Sequence, residues 1–141
     1  MTEADQIFER FPEFIREYIF THKWESLRAV QIAAARTLFL TDHHLLLTSS
    51  TASGKTEAAF FPILSDLWEN PPQSVGCLYV APLKSLINDQ FGRISELCDE
   101  AGIPVYCEEG QGGYHGFAGG EGMNMEGWPE RMIAWLEGLV K

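Results

Sequence analysis

The residues best equipped for chemistry lie together at Ser50-Thr51-Ala52-Ser53-Gly54-Lys55-Thr56. Small side chains in such a run let successive backbone N–H groups curl around phosphate oxygens. The apolar residues just before it read as a buried strand and residues 55–69 as a helix, so helix-start amides and the helix dipole would add to anion binding. Lys55 could then reach the β- and γ-phosphates of a nucleoside triphosphate, and the Thr56 hydroxyl could hold Mg²⁺. The strict spacing G-x-x-x-x-G-K-[ST] is not met, because Ser49 stands where its first glycine belongs. A glycine-capped turn with an ordinary surface lysine is the plain alternative. A strand before, a helix after and small residues throughout favour phosphate.

Other reactive side chains offer less. Cys77, Cys98 and Cys107 show neither C-x-x-C nor zinc-ligand spacing, which predicts reduced and mostly buried thiols. His43 and His44 are adjacent, would point in different directions, and read as a turn before a strand. Asp99-Glu100-Ala101-Gly102 places two carboxylates at the end of an amphipathic helix, the setting of a solvated helix terminus.

The elements that must position the loop follow from hydrophobic period. Ile7, Phe8, Phe11, Phe14, Ile15, Tyr18 and Ile19 recur at helical intervals. Pro12 predicts a break near Phe11 and a fresh helix from that proline. A further helix is expected over 26–40, one over 55–69 with a kink at Pro62, and one over 85–101 closed by Gly102. Residues 44–49, 75–80 and 103–106 read as strands. Strand–helix alternation with near-continuous apolar strands predicts an α/β fold, a parallel sheet with helical crossovers. Residues 108–127 hold eight glycines and read as a flexible segment. Residues 128–141 return to a helical period through Trp128, Met132, Trp135, Leu136 and Leu139, with Pro129 in the first turn.

A length of 141 residues suits about one domain. A net charge of −10 argues against the whole surface binding nucleic acid, though a local basic groove stays open. No apolar run approaches the roughly 18 residues of a membrane span, and the first 20 residues lack a secretory pattern. The expected compartment is the cytoplasm, with no membrane partner.

Three segments, in order, suggest a family. Residues 48–59 resemble motif I of superfamily-2 DEAD/DEAH-box helicases, whose loop reads T-G-S-G-K-T; Ala52 stands where glycine is commoner. Trp24-Glu25-Ser26-Leu27-Arg28-Ala29-Val30-Gln31 resembles the adenine-recognising segment. Residues 79–90, from Tyr79-Val80-Ala81-Pro82 onward, resemble motif Ia. With Glu57-Ala58-Ala59-Phe60, the combination is most similar to the Lhr-type helicases. The resemblance covers about residues 8–106 and implies a partial RecA-like P-loop sheet over 1–107, flanked by helices and carrying an N-terminal helical extension.

It further implies ATP and Mg²⁺ as cofactors, held by Gln31, Ser50, Thr51, Ala52, Ser53, Gly54, Lys55 and Thr56, with Thr56 on the metal. Pro82, Lys84 and Ser85 would contact the backbone of DNA or RNA. On residue type alone, Gln31 also reads as a polar residue on an exposed helix face, Lys84 as a solvated lysine and Pro82 as a strand terminator. No catalytic residue is assigned, because the family's D-E-x-[DH] motif is missing; Asp99-Glu100 comes only 43 residues after Thr56 and follows no strand. No second RecA-like domain is recognisable. The expectation is a truncated ATP-binding portion that does not unwind duplexes alone, with a second chain as one source of the missing motifs. Two alternatives stay open: a different P-loop enzyme such as a small kinase, or a non-catalytic interaction module that docks through 128–140.

Overall fold

The computed structural model describes residues 1–50, 52–80, 84–105 and 127–139; for 84–89, 128 and 139 it describes the backbone alone. Among the described residues six helices follow one another: α1 (Glu3–Arg10), α2 (Glu13–Thr21), α3 (Ala29–Leu40), α4 (Lys55–Glu69), α5 (Lys84–Ala101) and α6 (Trp128–Leu139). Local chemistry sets their ends. The Asp5 N–H donates to Thr2 Oγ1 at 3.2 Å while the Thr2 N–H donates to Asp5 Oδ2 at 2.7 Å, a reciprocal cap on α1. Phe11 and Pro12 are extended and separate α1 from α2, as the proline predicts. Gly102, at φ +68°, closes α5, and the Ile103 N–H reaches back to the Cys98 carbonyl at 2.8 Å.

One helix expectation shifts in detail. α3 begins at Ala29 instead of residue 26, because Arg28 is extended and its N–H is taken by the Gln31 side chain, Oε1, at 2.9 Å. Pro62 lies inside α4, buried, and the helix continues through it to Glu69. The neighbouring Ser65 hydroxyl, fully buried, donates to the Phe61 carbonyl at 2.6 Å.

The expected parallel sheet is not seen. Among the described residues there is no β-strand: 44–49, 75–80 and 103–105 are irregular. Leu46, Leu78 and Val80 are 85%, 68% and 78% exposed. Helical hydrogen bonds close within a segment, whereas a strand's bonds must be met by another segment. Apolar runs therefore identify candidate strands without supplying the ladder that makes them so. The α/β expectation is corrected to a helical arrangement in the described part. The flexible-segment expectation for 108–127 and the end of the third strand at Tyr106 lie outside the described residues, apart from Gly127.

α3 packs along α4, with Ala34 and Ala35 fully buried so that the two backbones approach closely. α1 and α2 cover this pair and supply its aromatic core. Phe61 sits edge-on to Phe11 and Tyr18, each at 5.7 Å between ring centroids, and is tilted against Trp24 at 5.8 Å. Such pairs add to the area buried. α5 closes the cluster with Ile94, Leu97 and Cys98. α4, α5, the irregular segment 71–79 and α6 line a largely apolar cavity of about 1330 Å³, and none of the described loop residues 49, 50 and 52–56 lines it.

Candidate functional site

The phosphate-loop residues lie at the start of α4, and backbone conformation shapes them. Gly54 is the residue before the helix and lies at φ +80°; Ala52 lies at φ +59°. Only glycine adopts such angles freely, so the loop holds a rare conformation at Ala52. Gly54 has no side chain with which to cap the helix, which leaves first-turn amides facing the loop. The Ala58 N–H returns to the Gly54 carbonyl at 2.9 Å and starts the helical ladder.

Lys55 turns back across the loop. Its Nζ donates to the Ser49 and Ser50 carbonyls at 2.7 and 2.8 Å, and the Ser49 and Ser53 hydroxyls bond to each other. The ammonium is thus held against the Ser49 and Ser50 carbonyls, and Thr56 follows as the second residue of α4. Left-handed turns, open amides and a lysine across the loop fit a phosphate group. No cluster of three or more metal-ligating side chains occurs among the described residues. His43 and His44 lie in irregular backbone with no strand after them, so the expected turn into a strand is not seen there.

α3 buttresses the loop. Gln31 is only 2% exposed, and its Nε2 donates to the Gly54 carbonyl at 3.4 Å while its Oε1 accepts from Arg28. The reading of Gln31 as a surface glutamine is therefore replaced by a buried strut. Arg28 adds a second contact, Nη1 donating to the Ala52 carbonyl. Sequence reasoning passed over Arg28. Its signal was the spacing of three before Gln31, the interval at which a helix-start backbone N–H meets a glutamine side chain.

Beneath the loop, Glu57 is nearly buried and accepts from Arg93 Nη1 at 2.6 Å, tying the first turn of α4 to α5. A carboxylate there also complements the helix dipole. Burial, and secondarily the charge of Glu57, pushes the Tyr18 hydroxyl above its ordinary value of 10.0. This pair too was missed, because its partners are 36 residues apart.

The remaining assignments fall elsewhere. Thr51 and Pro82 lie outside the described residues; Lys84 and Ser85 are the first two residues of α5, described in backbone only. Asp99 and Glu100 are exposed in the last turn of α5, as expected of a solvated helix end. No helix among the described residues is long and apolar enough to cross a membrane.

The family model described as DEAD/DEAH box helicase matches residues 28–116. Activating signal cointegrator 1 complex subunit 3-like of Dictyostelium discoideum is 33% identical over 105 residues, covering 69% of this chain and 5% of that protein. ATP-dependent helicase Lhr-Core of Saccharolobus solfataricus is 32% identical over 100 residues, 65% of this chain and 11% of its own length. The mitochondrial ATP-dependent RNA helicase MSS116 of Eremothecium gossypii is 28% identical over 82 residues, 57% of this chain and 12% of its own. The chain thus spans a small fraction of these relatives. No solved structure matches it significantly.

Proposed function

The chain belongs to the DEAD/DEAH box helicase family, and on that premise we propose that residues 49–56 are its ATP-phosphate loop and that the chain binds ATP without unwinding duplexes by itself. One observation carries the reading: the Lys55 ammonium lies across a loop bent at Ala52 and Gly54, where α4 begins. Helicases of this family use ATP, usually with Mg²⁺, and act on nucleic acid.

In this reading Lys55 would exchange the Ser49 and Ser50 carbonyls for the β- and γ-phosphates. The Lys55 and Thr56 amides would donate to the same anion, and the Thr56 hydroxyl would hold the metal. Bound Mg²⁺ would supply charge neutralisation on the phosphates. Gln31 supports the loop from α3; adenine contact would use the second hydrogen of its Nε2 and the second lone pair of its Oε1. Pro82, Lys84 and Ser85 are the proposed contacts to a nucleic-acid backbone, the last two being the first residues of α5. Phosphoryl transfer also needs an acidic residue on the metal and a positioned water. The sequence D-E-x-[DH] does not occur in these 141 residues, so those groups would come from another chain or another part of a longer one.

Titration with a fluorescent ATP analogue, with and without Mg²⁺, tests the reading beside Lys55→Ala, with phosphate release followed in parallel. Saturable binding that disappears in the variant, without phosphate release, is the expected result. Equal affinity in the variant would sink the assignment.

A further inference from the structure

We propose that Arg28 is a positioning residue of the phosphate loop, its guanidinium holding the Ala52 carbonyl so that Ala52 keeps the left-handed conformation that shapes the loop. The proposal rests on the reading of residues 49–56 as a nucleotide-phosphate loop. Ala52 and Lys23 are the non-glycine residues with positive φ among those described, and Ala52 is the one inside the loop. A Cβ-bearing residue stays in that region only where its surroundings over-determine it.

Arg28 supplies that restraint from a fixed base. Its N–H donates to Gln31 Oε1 at 2.9 Å, and its carbonyl accepts from the Gln31 and Ile32 N–H groups at 2.9 and 3.1 Å. From there Nη1 reaches the Ala52 carbonyl, 24 residues along the chain. An arginine has no acceptor with which to satisfy helix-start amides, so it is a poor choice for the residue that opens α3. The loop gives its presence a reason. Holding the Ala52 carbonyl fixes the planar peptide that joins Ala52 to Ser53, and with it the direction of the Ser53 N–H. Lys55 and Arg28 therefore do different work: Lys55 meets the phosphate, and Arg28 holds the cradle.

The test measures affinity of the full chain for a fluorescent ATP analogue in Arg28→Ala, Arg28→Lys, Ala52→Gly and the Arg28→Ala/Ala52→Gly pair, with Lys55→Ala as the control. Circular dichroism checks folding, and Arg28→Gln replaces Arg28→Ala if the latter does not fold. Loss of one charge-assisted bond predicts about tenfold weaker binding in Arg28→Ala. Arg28→Lys should recover most of it by restoring a donor. In the Ala52→Gly background, where the left-handed angle needs no restraint, removing Arg28 should matter less than about twofold. Unchanged affinity in Arg28→Ala would overturn the proposal. So would an equal loss in both backgrounds, which would mean that Arg28 acts on the nucleotide directly. If Lys55→Ala binds as well as the parent, the phosphate-loop reading itself fails; if Lys55 matters and Arg28 does not, only this inference does.

Discussion

Gln31 Nε2 donates to the carbonyl of Gly54 across 3.4 Å, joining α3 to the proposed phosphate loop through a side chain that is almost wholly buried. The opposite end of the same amide accepts the Arg28 N–H, so one residue fixes both the start of α3 and the turn into α4.

That contact makes Gly54 intolerant of any side chain. A Cβ there would lie 2.6 Å from Gln31 Nε2, and the backbone is at φ +80°. Gly54→Ala is expected to cost about 1–3 kcal/mol in backbone strain and to displace Gln31 as well. Thermal unfolding should show the lower midpoint, and ATP-analogue titration the weaker binding. A variant matching the parent in both would show that the loop is not held as described.

The Glu57–Arg93 pair should be asymmetric to mutation. Arg93→Ala leaves a nearly buried carboxylate without this partner, whereas the Arg93 side chain is 43% exposed and can turn to water. The expected loss for Arg93→Ala is about 2 kcal/mol, below the roughly 3–5 kcal/mol of fully buried pairs because solvent screens the arginine. Glu57→Gln keeps an acceptor and should cost less. Urea unfolding of the two variants gives the comparison, and equal losses would count against it.

Cys98 should report on the core through pH. Burial first, then the charge of Asp99 and the nearby Cys77 thiol, pushes its thiol from 9.0 up to about 11. The folded state therefore holds a proton that the unfolded state releases earlier. The associated stability, on the order of 2 kcal/mol, is fully present below pH 9 and is lost as pH rises toward 11. Cys98→Ser should flatten that part of the stability profile. Alkylation of Cys98 at pH 8 should be slow in the native protein and rapid in urea; fast native alkylation would contradict the burial.

Helix boundaries were legible because their causes are local. Pro12 splits α1 from α2, Gly102 ends α5, and the apolar spacing of Phe61 and Leu64 marks the buried side of α4. The proposed phosphate loop could be picked out for a similar reason: its residue types sit side by side. The strands were a different case. An apolar run such as 75–80 signals burial, but strand pairing lies between distant segments, and here the run is exposed, with Tyr79 donating to Gln90 and set edge-on to Phe60 at 5.2 Å.

From sequence alone came the helices, the run of small residues from Ser50 into Lys55 and Thr56, and the resemblance to DEAD/DEAH-box helicases that the family match bears out. Only the tertiary structure decided what steadies that run. Gln31 on Gly54, Arg28 on Ala52 and Arg93 on Glu57 join residues 23 to 36 positions apart. Spacing along a chain encodes which residues share a helix face, since that geometry repeats every few residues. It carries no such rule for two residues brought together by the packing of separate helices, and the site is braced by contacts of that second kind.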